Sequence, residues 1–255
     1  MPEQVKSPAP GAVWPRVLPL VLLALLWQLA STALQSKALP PPSSVLEALW
    51  LETLSGDLPL HLGHTLWRVA LSFLLAMLAG VVLGILMGRS RRVDQMLDGL
   101  LILSLNIPAL VTTILCYIWF GLNETAAIVA VVINKVPMVA ITLREGARAV
   151  DQGLLEVAQV YRLSRRDTLL RVYLPQLTPY LFSAARNGLA LIWKIVLVVE
   201  LLGRSDGVGF QIGNFFHFFD ITSILAYTLA FSALIFLLEA ACLRPLEAHL
   251  NRWRA

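Results

Sequence analysis

Charge is scarce in this chain. Only 14% of its 255 residues are Asp, Glu, Lys or Arg, while 58% are apolar. A soluble domain carries about a quarter charged residues. So few charges cannot cover a water-exposed surface of this size, which excludes an ordinary soluble fold and leaves lipid facing much of the surface. Cysteine is nearly absent. Cys116 and Cys242 both sit in apolar runs, which excludes a disulfide framework and a thiolate metal site. The four histidines, His61, His64, His217 and His249, are scattered without ligand spacing, so no metal site is expected. No Gly-x-x-x-x-Gly-Lys-Ser/Thr phosphate loop is present, so the chain is not expected to bind ATP itself. No Ser/His/Asp, paired-carboxylate or metal-ligand constellation is present either, which argues against a membrane enzyme. Nor is there an internal repeat of the kind common in secondary transporters.

What is present is a series of apolar runs at spanning length. The first is Val17–Leu34, preceded by Lys6 and Arg16 and read as an uncleaved helix rather than a signal peptide. A Pro40-Pro41-Pro42-Ser43-Ser44 break follows, with Ser43 or Ser44 placed to cap an amphipathic helix over Val45–Leu54. The second span is expected over Thr65–Met87, with Gly80, Gly84 and Gly88 forming a small-xxx-small face that admits a close neighbour. The third runs over Leu97–Phe120, interrupted by Pro108, and the fourth over Thr125–Leu143, with Pro137 inside it. The fifth covers Tyr180–Leu202, a Gly- and Phe-rich loop Gly203–Asp220 follows, and the sixth covers Ile221–Leu243. The expected organisation is a tail over 1–16, a first helix and its connection over 17–64, a core over 65–243 that includes the polar segment 144–175, and a basic tail over 244–255.

Lys and Arg set the orientation. With six spans, both termini, the loop near residues 88–96 and the 144–175 segment share one side. Fourteen basic residues fall there, including Arg89, Arg91, Arg92, Arg144, Arg148, Arg165, Arg166 and Arg171; the other side has Lys37, Arg204 and, at a span's edge, Arg68. That asymmetry is expected to make both termini and the 144–175 segment cytoplasmic, and it explains the net charge of +4 without a nucleic-acid partner.

The 144–175 segment is too organised for a tether. Leu154, Leu155, Ala158 and Tyr161 fall at helical spacing on one face. Ser164 is placed to cap a second short helix, with Asp167 three residues on, and Pro175 is expected to stop that helix and start the next span. On residues alone this is either an interfacial connection between two spans or a docking element. Within the spans the ionisable residues are Lys135, Arg186, Lys194 and Glu200, with Asn106, Asn134 and Asn187 at similar depths. Such groups are costly in lipid and commonly functional. Lys135 and Lys194 suggest a cationic lining that receives an anion; the competing reading pairs each with a carboxylate or backbone carbonyl. Phe210, Phe215, Phe216, Phe218 and Phe219 form an interfacial belt or outer gate, or else a docking surface.

The segment Glu156-Val157-Ala158, then Arg162, then Val172-Tyr173-Leu174-Pro175 resembles the Glu-Ala-Ala loop of binding-protein-dependent ABC transporter permeases. The likeness extends to Pro41–Trp50, Leu66–Arg89, Ile107-Pro108, Trp119-Phe120-Gly121, and Glu200-Leu-Leu-Gly203 with Gly207-Val-Gly209, which are similar to the nitrate, sulfonate and taurine branch. It covers roughly residues 40–250, with separate motifs in the right order. Two positions depart from the family pattern: Val157 replaces the middle Ala, and Arg162 replaces a turn Gly. A positive φ is common in such turns, so Arg162 implies a different turn or a strained one.

The resemblance implies an all-α membrane protein with six transmembrane helices of the type I ABC importer permease (MetI-like) fold. It implies a permease that transports a small anion delivered by a periplasmic binding protein. The partners implied are two copies of an ABC ATPase, which hold the ATP and Mg, and a second copy of this chain or a related permease. No cofactor of its own is implied. Leu155, Glu156, Ala158, Gln159, Tyr161, Arg162 and Ser164 would form the ATPase-coupling element, with Glu156 anchoring it and Leu155, Ala158 and Tyr161 filling a groove on the ATPase. Asn106, Lys135, Arg186 and Lys194 would line the path, and Glu200 would be structural. The alternative is a secondary transporter or channel acting alone.

Overall fold

The computed structural model describes residues 14–36 and 38–243; the expected stretches 1–13 and 244–255, and Lys37, lie outside them. Among the described residues the chain is helical with no strand. Helix α1 (Trp14–Leu34) leads through a proline turn to α2 (Pro42–Ser55) and the long α3 (Asp57–Arg89). Helices α4 (Arg91–Asn106) and α5 (Ala109–Phe120) follow, then α6 (Glu124–Arg148) and the short α7 (Gln152–Val160) and α8 (Arg165–Asp167). A π-helical turn, Thr168–Tyr173, joins α8 to α9 (Leu174–Gly203); α10 (Val208–His217) and α11 (Ile221–Leu238) follow, and a second π-helical turn, Glu239–Leu243, continues α11.

Among the described residues, three helices are long and apolar enough to cross a bilayer by themselves: Asp57–Arg89, Glu124–Arg148 and Ile221–Ala241. The expected third span is a bent pair. Ile107-Pro108 has no helical geometry, and α4 and α5 meet at 100°, because proline lacks the N–H that would continue the ladder. Helix α9 has 30 residues but carries Arg186, Lys194 and Glu200, so its span is marked by charges as well as length. With α1, these elements supply the six helices of the expected fold. Many large apolar side chains on their outer faces stay exposed in the single chain, such as Leu23 and Leu26 on α1, Leu74 and Leu78 on α3, and Ile118 and Trp119 on α5. A surface this apolar needs lipid or another subunit against it.

The centre of the bundle is the contact between α3 and α6. Gly80 lies against Val139, Gly84 against Ala140 and Leu143, and Gly88 against Ala147. Both series advance together, so the two helices run parallel. At all three glycines a side chain would occupy space already held by the other helix, at Gly84 by its backbone. This is the close approach that the small-xxx-small spacing predicts. Helix α9 packs antiparallel beside them, with Tyr180 over Gly146 and with Ile192, Val196 and Val199 joining Val69, Ala76, Tyr117, Ala130 and Val131 in one apolar core. The Tyr117 hydroxyl donates to the Val199 carbonyl at 2.8 Å. On the far side α2 meets α11, where the Tyr227 hydroxyl donates to Glu52 Oε2 at 3.0 Å.

Several local expectations change. Helix α2 begins at Pro42 with Pro41 at the cap and no side-chain cap, so neither serine starts it; a proline in the first turn gives up only an N–H that has no helical partner anyway. Helix α3 starts at Asp57, eight residues before the expected Thr65, which leaves no room for a loop after α2. Pro175 does not stop a helix. The chain passes through it into α9, and the π turn just before it places the Leu174 N–H on Leu169 O. Widening the ladder there accommodates a ring that would clash in regular α geometry. The expected loop Gly203–Asp220 holds a ten-residue helix, α10.

Candidate functional site

Two regions carry the polar chemistry, one at each end of the bundle. At the end where α9 meets α10, Arg68 is 3% exposed and acts as the hub of a charged clasp. Its guanidinium donates to Glu124 Oε2 at 2.9 Å and to Glu200 Oε1 at 2.8 Å, and it also binds the Asp206 carboxylate. Glu200 is fully buried. Its other oxygen accepts from Thr65 Oγ1 and from the Gly209 N–H, both at 2.9 Å. Val208 N–H donates to Thr65 Oγ1, and Gly207 N–H donates to His61 Nδ1 at 2.9 Å. The start of α10 thus rests on α3 and α9 through its own N–H groups. Gly207 has φ +103, and a side chain on it would meet the Glu200 carboxyl. That explains the glycine pair in physical terms. Asp206, in the turn before α10, is held below the usual carboxylate range: partial burial opposes this, and the Arg68 guanidinium outweighs it. Arg204 adds a contact to Glu124 at 3.1 Å.

The in-span candidates separate. Lys135 is 2% exposed. Its Nζ lies 3.2 Å from Met138 Sδ and 3.5 Å from the Asn187 carbonyl oxygen, and no carboxylate forms an ion pair with it among the described residues. Lys135 is packed between helices in the single chain, with a backbone carbonyl within reach. Asn134 keeps a buried Nδ2 without a hydrogen-bond partner. Arg186 and Lys194 come together on one wall of a cavity of about 270 Å³ between α9 and α11, with Trp193, Ser232 and Glu239. Arg186 reaches Glu239 at 3.6 Å, and Lys194 Nζ sits 5.4 Å from the Trp193 ring centroid. Asn106, at the α4–α5 bend, donates to Ile102 O of its own helix at 2.7 Å and joins neither group.

At the other end lies the loop singled out by its motif. Asp151 caps α7 by accepting from the Gly153 N–H, and Gln176 Oε1 accepts the Asp151 N–H at 2.8 Å. Helix α7 ends in a Schellman motif. The Arg162 N–H donates to Gln159 O at 2.9 Å, and the Leu163 N–H donates to Ala158 O at 3.0 Å. Arg162 has φ +49. It therefore takes the left-handed geometry that a glycine would take, so the turn is kept and strained rather than replaced. Arg162→Gly is expected to stabilise the loop by about 1 kcal/mol, measured as slower hydrogen exchange over 152–167. Ser164 Oγ accepts the Asp167 N–H at 3.1 Å and starts α8.

The face assignment within α7 is corrected. Ala158 is 2% exposed, and Leu155 packs onto Ala147, Val150, Tyr173 and Leu177. These two face the bundle and hold α7 to it. A nine-residue helix has one inward stripe, and it falls on 155 and 158. The outward apolar residues are Leu154, Val157, Val160 and Tyr161, the last two being among the most exposed of the chain. Glu156 and Gln159 are exposed. The base of the loop is tied by Arg144 and Arg148. Arg144 bonds Asp98 and Asp94 on α4, and Arg148 bonds Asp94.

A bundle of apolar helices, with a charged clasp at one end and a capped surface helix between two spans at the other, defines a multi-pass membrane protein. Residues 80–243 match the family described as "Binding-protein-dependent transport system inner membrane component", and the chain belongs to that family. It is 34% identical to the taurine transport system permease protein of Escherichia coli (strain K12), over 91% of this chain and 86% of that protein. It is 32% identical to the putative aliphatic sulfonates transport permease protein of Bacillus subtilis (strain 168), over 93% of this chain and 86% of that one. Its fold is similar to that of a chain of the inward-facing MetNI methionine ABC transporter, with a TM-score of 0.68 over 79% of this chain and 99% of that chain at 18% identity. The chain is thus an inner-membrane transport subunit of an ABC importer rather than an enzyme, and ATP hydrolysis belongs to a separate subunit.

Proposed function

We propose that this permease works as a two-fold pair with a second copy of itself, on two copies of an ABC ATPase that hold ATP and Mg, and takes a small oxyanion from a periplasmic binding protein. Both termini and the α7–α8 loop then face the cytoplasm, in keeping with the basic residues on that side. The observation that carries the reading is the two-sided α7. Its inward face, Leu155 and Ala158, is locked to the bundle, while Leu154, Val157, Val160 and Tyr161 present an unpartnered apolar face. A helix fixed to the spans and apolar outward can pass a push from a partner to the spans. Glu156, exposed beside that face, is available for a polar anchor, and the strained Arg162 turn with the Ser164 cap fixes how α7 is presented. Anionic cargo is supported by the relatives, whose names carry sulfonates, taurine and nitrate, and by Lys194 beside the Arg186–Glu239 pair in the cavity between α9 and α11.

The experiment places charge on the outward face. Val157→Asp with Val160→Asp should abolish copurification of the ATPase and uptake while leaving the chain's melting unchanged. ATPase bound at the wild-type level by that variant would refute the docking assignment.

A further inference from the structure

The coupling loop encloses a space that docking does not use. Beneath α7, between it, α8 with the π turn, and the ends of α3 and α6, lies a cavity of about 900 Å³. Three arginines line it: Arg89 ends α3, Arg148 ends α6, and Arg165 starts α8. Arg148 is paired with Asp94 and Glu145. Arg89 and Arg165 have no carboxylate partner among the described residues, and Arg89 instead lies over the Tyr173 ring, 5.5 Å from its centroid. Gln159 and Thr168 add polar side chains to the wall. The Tyr173 residue is only 6% exposed, yet its hydroxyl, on a side chain that lines this cavity, has no hydrogen-bond partner. A buried hydroxyl left unpaired is costly. Unpaired arginines at the end of a membrane helix add a positive field.

We propose that this cavity binds a phosphate-type oxyanion, held by the Arg89 and Arg165 guanidiniums, with the Tyr173 ring positioning Arg89. Arginine forks match tetrahedral oxyanions, and charge-assisted bonds are the strong ones. Arg89 belongs to the spans and Arg165 to the loop, so a bound anion ties the coupling helix to the bundle. The same chemistry is offered by the headgroup of an anionic phospholipid and by free phosphate. The site lies under α7, away from the outward face assigned to ATPase docking. Its test therefore stands apart from that assignment.

The test uses the full chain with its copurified partners in nanodiscs of three kinds: phosphatidylcholine alone, phosphatidylcholine with phosphatidylglycerol, and phosphatidylcholine with added inorganic phosphate. Hydrogen exchange over 152–173 is read in each. Occupancy should slow exchange there by roughly tenfold, the factor that about one charge-assisted hydrogen bond supplies. Slowing with phosphatidylglycerol only identifies a lipid headgroup; slowing with phosphate as well identifies a free anion. Arg89→Gln with Arg165→Gln should remove the slowing while exchange in α3 and α6 stays unchanged. Equal exchange over 152–173 in all three nanodiscs overturns the proposal, and so does slowing that survives the double substitution. The wild-type comparison stands even if the variant assembles poorly.

Discussion

Arg68→Met should destabilise the bundle by about 3–5 kcal/mol. Arg68 is the cation facing fully buried Glu200, and it also holds Glu124 and Asp206. Without it Glu200 remains buried as an uncompensated charge, and the start of α10 loses the carboxylate geometry on which its Gly209 N–H rests. The loss follows from stranding a partner, so removing both charges should cost much less. Arg68→Met with Glu200→Gln keeps the hydrogen bonds from Thr65 and Gly209 and should recover more than half of the lost stability. Thermal melting of the detergent-solubilised chain by tryptophan fluorescence measures both. A single substitution costing under about 1 kcal/mol would mean that the clasp is an exposed ion pair in effect, and the packing of α10 would have to be explained otherwise.

Gly84→Leu is the second. Overpacking a core typically costs about 1–3 kcal/mol, with flexible side chains giving way. At Gly84 the near neighbours are the Ala140 carbonyl, the Leu143 Cβ and the Arg144 N–H, which cannot rotate aside. The substitution should therefore exceed that range, separate α3 from α6, and abolish uptake along with folding. Gly63 and Gly99 provide the control, since nothing lies within 4 Å of a side chain there. Alanine at either should be neutral or stabilise by up to about 1 kcal/mol through helix propensity. Equal effects at Gly84 and Gly63 would show that the small-residue face does not set the α3–α6 distance.

Much of this was legible in the chain because its causes are local. Runs of apolar residues mark the spans, the interval of four marks the close helix face, and Ser164 with Asp167 marks the start of α8. The motif order marks the family. What was not legible depends on partners distant in sequence. Arg68 reads as a basic residue at the margin of a span until Glu200, 132 positions later, is brought beside it. An arginine and a glutamate both inside apolar runs were the available signal, since such charges are seldom tolerated alone. Helix α10 was hidden by its glycines and phenylalanines, which suit a loop in isolation. They form a helix because the first N–H groups find Thr65 and Glu200. On α7, spacing placed Leu154, Leu155, Ala158 and Tyr161 together, but only the bundle beneath decides that 155 and 158 turn inward.

The proposed assembly makes this chain half of a membrane pathway driven by a separate ATPase. Native mass spectrometry of the complex extracted with its neighbouring gene products measures that directly. Two copies of this chain with two of an ATP-binding subunit, lost together when Val157 and Val160 are changed to aspartate, is the result expected. A lone chain, or an oligomer that transports the anion with no ATPase bound, would contradict the account and leave a transporter that works by itself.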